Sequence, residues 1–165
     1  MSQTILQTQP RSKPSALGAS LDRLGQAVAA DVPGQERIWA EAVGDALVRV
    51  ETALRQHRAS AKDPDGLLAE VDETRPTLAR QADGLRSDHD DFLAQVLSLR
   101  EEVRHASDVF QPVANSGPPT RAGGVVDFGA IRQQTELLLA GLQENKEAET
   151  MLVFESVNTD IGVGD

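Results

Sequence analysis

The chain has 165 residues, 16 basic and 26 acidic, for a net charge of −10, and contains no cysteine. That length suits one domain around one core; the acidic balance argues against a phosphate-backbone partner, and the lack of cysteine excludes disulfides and thiolate metal sites. No apolar run approaches the ~20 residues that a membrane span needs, so neither nucleic acid nor a membrane is expected as a partner, and the cytoplasm is the default location.

Residues 1–14 are rich in Gln, Ser, Thr and Pro, with no apolar period and no hydrophobic run of the kind a secretory signal carries. They read as a disordered tail. Leu17, Leu21, Leu24 and Val28 then recur at steps of 4, 3 and 4, which predicts a short helix over 15–30, closed by Pro33-Gly34. Gly18 and Gly25 weaken it, each by about 1 kcal/mol relative to alanine.

A long helix is predicted over 35–60. Its stripe is Trp39, Val43, Ala46, Val50, Ala53 and His57, broadened by Leu47 and Leu54. Lys62-Asp63-Pro64-Asp65-Gly66 breaks it, because Pro64 disfavours the helical state at Asp63 and lacks an N–H. Leu67, Leu68 and Val71 suggest a few further helical turns. Thr74 can cap the next helix, with Pro76 in its first turn.

That helix, predicted over 76–108, organises the chain. Leu78, Ala82, Leu85, His89, Phe92, Val96, Leu99 and Val103 recur at alternating steps of 4 and 3. All eight side chains fall on one stripe, so Leu85→Ala is expected to cost about 2–5 kcal/mol. Residues 111–125 are a flexible loop by composition. Asp127 caps a last helix over 127–155, fraying toward Asn158, with the stripe Phe128, Ile131, Thr135, Leu138, Leu142, Asn145, Glu149 and Leu152. Residues 159–165 form a C-terminal tail. No stretch alternates as a strand does. The expected fold is all-α: an up-and-down four-helix bundle of three long helices and a shorter N-terminal one, spanning 15–158.

Three stripes carry polar residues: His57, His89, and the pair Asn145 and Glu149. His89 precedes Asp108 by nearly the same length of chain as Asn145 follows Asp127. At about 1.5 Å of rise per residue, both sit roughly 28 Å above the shared turn. His57 joins that level if the 67–73 segment continues upward before the turn at Thr74. Buried polar groups need partners, since an unsatisfied one costs about 1–3 kcal/mol. Two arrangements supply them: core histidines hydrogen-bonded to Glu149 and Asn145, or imidazoles and a carboxylate converging on a metal ion. His105 is two positions off the stripe and reads as solvated. Asp88, Asp90 and Asp91 read as a solvated acidic face. There is no phosphate-cradling glycine loop and no Ser-His-Asp signature, so the chain reads as a non-enzyme.

Asp88-His89 followed by Phe92 and Leu93 resembles the Glu-His-x-x-Leu helix of the hemerythrin-like (HHE cation-binding) family. Gln143 to Phe154 resembles that family's His-x-x-x-Glu helix, and Leu54 to Val71, with His57, another of its His-bearing helices. The likeness spans roughly residues 36–158. It implies a four-helix bundle with non-haem iron that binds or senses dioxygen or handles iron. The ligands that carry over are His57, His89 and Glu149, with Glu70 as an extra carboxylate. Asn145 stands where the family has histidine, Ala61 where a carboxylate is expected, and Leu93 where a second histidine can be. The implied function is therefore a bundle binding a metal ion, or a degenerate member that has lost the di-iron site and holds none. The alternative is a non-catalytic helical scaffold that binds a protein partner or itself.

Overall fold

A computed structural model describes residues 15–30, 33–63, 66, 68, 71, 76–109 and 126–158. The expected tails 1–14 and 159–165, the loop 111–125, and Thr74 and Glu70 lie outside the described residues. Four helices run in order: α1 (Ala16–Ala29), α2 (Glu36–Lys62), α3 (Pro76–Val109) and α4 (Phe128–Asn158). There is no strand among the described residues, and the chain is the all-α four-helix bundle that its spacing predicts.

The helix ends follow from local chemistry. Ser15 Oγ accepts from the Gly18 N–H at 3.1 Å, and Asp127 Oδ1 from the Ala130 N–H at 3.0 Å. Each satisfies a donor that the first helical turn leaves without a partner. Before α2 the chain turns at Pro33-Gly34, and Gly34 takes φ +83°, a left-handed value that a side chain resists. After Lys62 the helix stops at Asp63, which adopts φ −66° and ψ 128°, the extended state favoured for a residue ahead of proline.

Contacts along the helices fix the topology. The Trp39 indole N–H donates to the Val28 carbonyl at 3.3 Å, so α1 ends where α2 begins. Trp39 also meets Phe128 edge-on, with ring centroids 6.1 Å apart, so α2 and α4 start together and run parallel. Glu51 pairs with Arg100 and His57 stands beside His89, so α3 descends against α2. Going around the bundle, α1 packs on α2, α2 on α3, α3 on α4 and α4 on α1. No described helix is long and apolar enough to cross a membrane.

Gly18 and Gly25, which count against α1 by propensity, face α4. A Cβ on Gly18 would meet Lys146 Nζ at 2.9 Å, and one on Gly25 would touch Leu139 at 3.4 Å. Tertiary packing overrides intrinsic preference here, because the missing side chains let the two helices approach.

Every apolar member of the α1 and α2 stripes is buried. On α3 the pattern departs from expectation at two places. Leu85 and Phe92 are only partly buried, while Leu93 takes a buried position. Helix α3 is flanked by α2 and α4, so its buried arc is wider than one narrow stripe and includes a residue on the far side of His89. The Leu85→Ala cost shrinks accordingly. Inside, the apolar residues fall into two separate clusters. The larger joins α1, the first two-thirds of α2, the second half of α3 and the first half of α4. The smaller holds Ala61, Leu68, Val71, Leu78, Ala82 and Leu152 at the other end.

Candidate metal centre

Between the two clusters the three stripes place polar side chains. Trp39 and Phe128 mark a common level on α2 and α4. Counted from there, Glu149 is only about three residues further along its helix than His57 is along its own, or roughly one turn at about 1.5 Å of rise per residue. Gly44 faces Val103 across α2 and α3. Counted from that contact, His57 and His89 differ in height by about one residue, or about 1.5 Å. Each polar residue continues an apolar stripe, so burying the stripe carries it inward whatever its own preference.

The structure brings together all three residues expected as ligands. His57 Nε2 lies 2.6 Å from Glu149 Oε2 in a hydrogen bond. An ionised carboxylate only accepts, so His57 carries its proton on Nε2 in that bond. His89 Nε2 lies 2.6 Å from Glu149 Oε1, so one carboxylate spans two imidazoles. The rings of His57 and His89 stand nearly perpendicular, 73° apart, with centroids at 5.0 Å. One ligand atom from each of the three residues lies within 4.8 Å of the others.

The two imidazoles differ. The His57 side chain is 29 % exposed and that of His89 1 %. Among the described residues neither ring nitrogen of His89 has a hydrogen-bond partner, nor does Glu149 Oε1, although Nε2 and Oε1 are close. The two atoms are in close contact at 2.6 Å, outside the geometry of a regular directional hydrogen bond.

Burial by itself would raise the Glu149 carboxyl. Side-chain hydrogen bonding from His57 and from His89, the latter at 2.6 Å though poorly directed, and positive charge on the two imidazoles outweigh it and hold the group at about 2. Glu149 therefore stays a carboxylate across the neutral and mildly acidic range.

Asn145 does not join the histidines. It is buried, and its Nδ2 donates to Asp88 Oδ2 at 3.3 Å. In the sequence Asp88 is legible only as part of a solvated acidic run; its place beside His89 and level with Asn145 is the signal that could have found this pair. Asp90 behaves as the acidic face predicts, exposed and paired with Arg58 at 2.5 Å and Lys62 at 3.4 Å. His105 is exposed, as expected. Imidazoles, which bind metal in their neutral form, and a carboxylate suit a divalent ion of intermediate hardness, such as iron, zinc or manganese, and three protein ligands leave coordination positions for solvent.

Comparison with known proteins gives no match to a protein-family model, a curated sequence or a solved structure.

Proposed function

We propose that this chain is a metal-binding helical bundle of hemerythrin-like type, holding a single divalent transition-metal ion through His57, His89 and Glu149. The observation that carries the reading is His89: an imidazole 1 % exposed, with no hydrogen bond of regular geometry at either nitrogen among the described residues, its Nε2 2.6 Å from a carboxylate oxygen that likewise has none. A buried polar group left unsatisfied costs about 1–3 kcal/mol, and an ion offers a partner to the facing nitrogen and oxygen at once. Non-haem iron is the cofactor that the family resemblance favours. Three ligands are too few for two ions, so the reading is one ion per chain. It is a reading of binding, not of catalysis, and the acidic surface suits neither nucleic acid nor an anionic membrane.

One observation favours a second reading. The His57–Glu149 hydrogen bond is complete without an ion, which fits a scaffold whose polar layer is structural. Equilibrium dialysis of the untagged, chelator-treated chain against iron(II), zinc or manganese separates the two. The metal reading expects one ion per chain, loss of binding in His89→Ala and no change in His105→Ala. Asn145→His, which adds the imidazole of the family pattern, should tighten binding. Indifference of both wild type and Asn145→His to all three metals would leave only the scaffold.

A further inference from the structure

The polar layer also divides the interior mechanically. Below it, buried residues from all four helices form the larger cluster. Above it, α2 contributes Ala61, α3 Leu78 and Ala82, and α4 Leu152, joined by Leu68 and Val71. Helix α1 does not reach this end: it starts at Ala16, with Gly18 against Lys146, one turn short of Glu149. Among the described residues, the upper end therefore has a small core to which α1 does not contribute. Apolar contact, the main force that makes neighbouring segments unfold together, is interrupted at the layer.

We infer that the upper end of the bundle is a separate opening unit, and that an ion held by His57, His89 and Glu149 locks it to the lower end. This inference rests on the metal reading above. The three ligands come one each from α2, α3 and α4, at the boundary between the clusters. Fraying of the helix ends above the layer pulls them apart, so the ion binds the closed form only. At a free concentration 100 times its dissociation constant, it lowers the population of the open form about 100-fold. Opening uncovers Leu78, Ala82 and Leu152 beside Met151 and Phe154, which are already 67 % and 63 % exposed. The extent of apolar surface at this end then follows the metal supply.

The protein carries its own probe. Trp39, its single tryptophan, belongs to the lower cluster, so its emission reports that end alone. Far-ultraviolet circular dichroism reports helix at both ends. In urea titrations of the full chain without metal, part of the helical signal should be lost before Trp39 is exposed. With zinc at 100 times its measured dissociation constant the two curves should coincide, with bound zinc counted in the same samples. Coincident curves in the metal-free protein would overturn the separate unit, since coincidence of probes marks one cooperative transition. A gap that persists with one zinc bound per chain would overturn the lock alone and leave the metal reading standing. No bound zinc would overturn both. The variant His57→Leu/His89→Leu/Glu149→Leu replaces all three groups by apolar ones and should unite the curves without metal; a gap in that variant would also refute the division.

Discussion

Glu149→Gln tests the electrostatics of the layer without changing its shape. The wild-type carboxyl is held at about 2, against an ordinary value of 4.5. A folded-state value below the unfolded one means that folding favours the carboxylate, so the contribution is complete above 4.5 and disappears as the pH falls toward 2. At 1.36 kcal/mol per unit, the difference corresponds to roughly 3 kcal/mol. The group is 11 % exposed, so solvent screening reduces this little. Glutamine cannot carry the charge. In metal-free buffer at pH 7 the variant should therefore be less stable than wild type, by at most about 3 kcal/mol. The two stabilities should converge between pH 4.5 and 2. Urea unfolding followed by circular dichroism at unit pH steps measures both curves. Parallel curves over that interval would show that the imidazoles do not stabilise the Glu149 carboxylate, and the account of the layer would fail.

Three further outcomes check the packing. Leu142, 2 % exposed in the larger cluster, should cost about 2–5 kcal/mol on replacement by alanine, while the partly buried Leu85 should cost only about 1 kcal/mol; equal losses in denaturant titrations would mean that the α3 register is wrong. Asp127→Ala removes the acceptor for the Ala130 N–H and should destabilise by about 1 kcal/mol, read as a lower melting temperature. Gly84→Ala, where an added Cβ meets nothing, should stabilise by about 0.5–1 kcal/mol, whereas at Gly141 the same change presses the Phe92 ring at 2.8 Å and should cancel or reverse that gain. Identical melting shifts for the two glycine variants would refute the α3–α4 contact.

The bundle is legible in the sequence because each helix repeats its apolar residues at steps of 3 and 4, and no competing strand period interferes. Proline and glycine mark the breaks: Asp63 is extended because Pro64 follows it, and Gly34 turns the chain into α2. Two features are not legible. The glycines of α1 look like local defects until α4 lies against them, since the gain from close approach belongs to a partner helix distant in sequence. The exchange of Leu93 for Leu85 and Phe92 on the buried face of α3 depends on which flanks are covered, and stripe spacing alone does not contain that. The polar layer is half legible. Its height and its three members follow from the steady rise of a helix, which accumulates predictably along each stripe. Which acceptor each imidazole meets is decided by side-chain direction within one turn, and there the candidates Asn145 and Glu149 diverge: Glu149 takes both histidines, while Asn145 turns to Asp88.

The position of the layer has a physical logic that ties stability to chemistry. A carboxylate and two imidazoles in the middle of a continuous core would interrupt it where burial contributes most. Here they sit where α1 begins, past the end of the larger cluster, so that cluster stays apolar and uninterrupted. The same placement grades solvent access, from His89 at 1 % through Glu149 at 11 % to His57 at 29 %. An ion or a proton can thus reach the layer from the His57 side without opening the lower bundle. On the proposed metal reading, a dry ligand and a wet one around a shared carboxylate would serve reversible binding: the dry side gives electrostatic strength, since water does not screen it, and the wet side gives a route in and out. A polar layer kept only for its hydrogen bonds has no need of that gradient, and in a purely structural layer both nitrogens of the drier histidine would be expected to find partners. At His89, Nε2 has only its close contact with Glu149, and Nδ1 has no hydrogen-bond partner among the described residues.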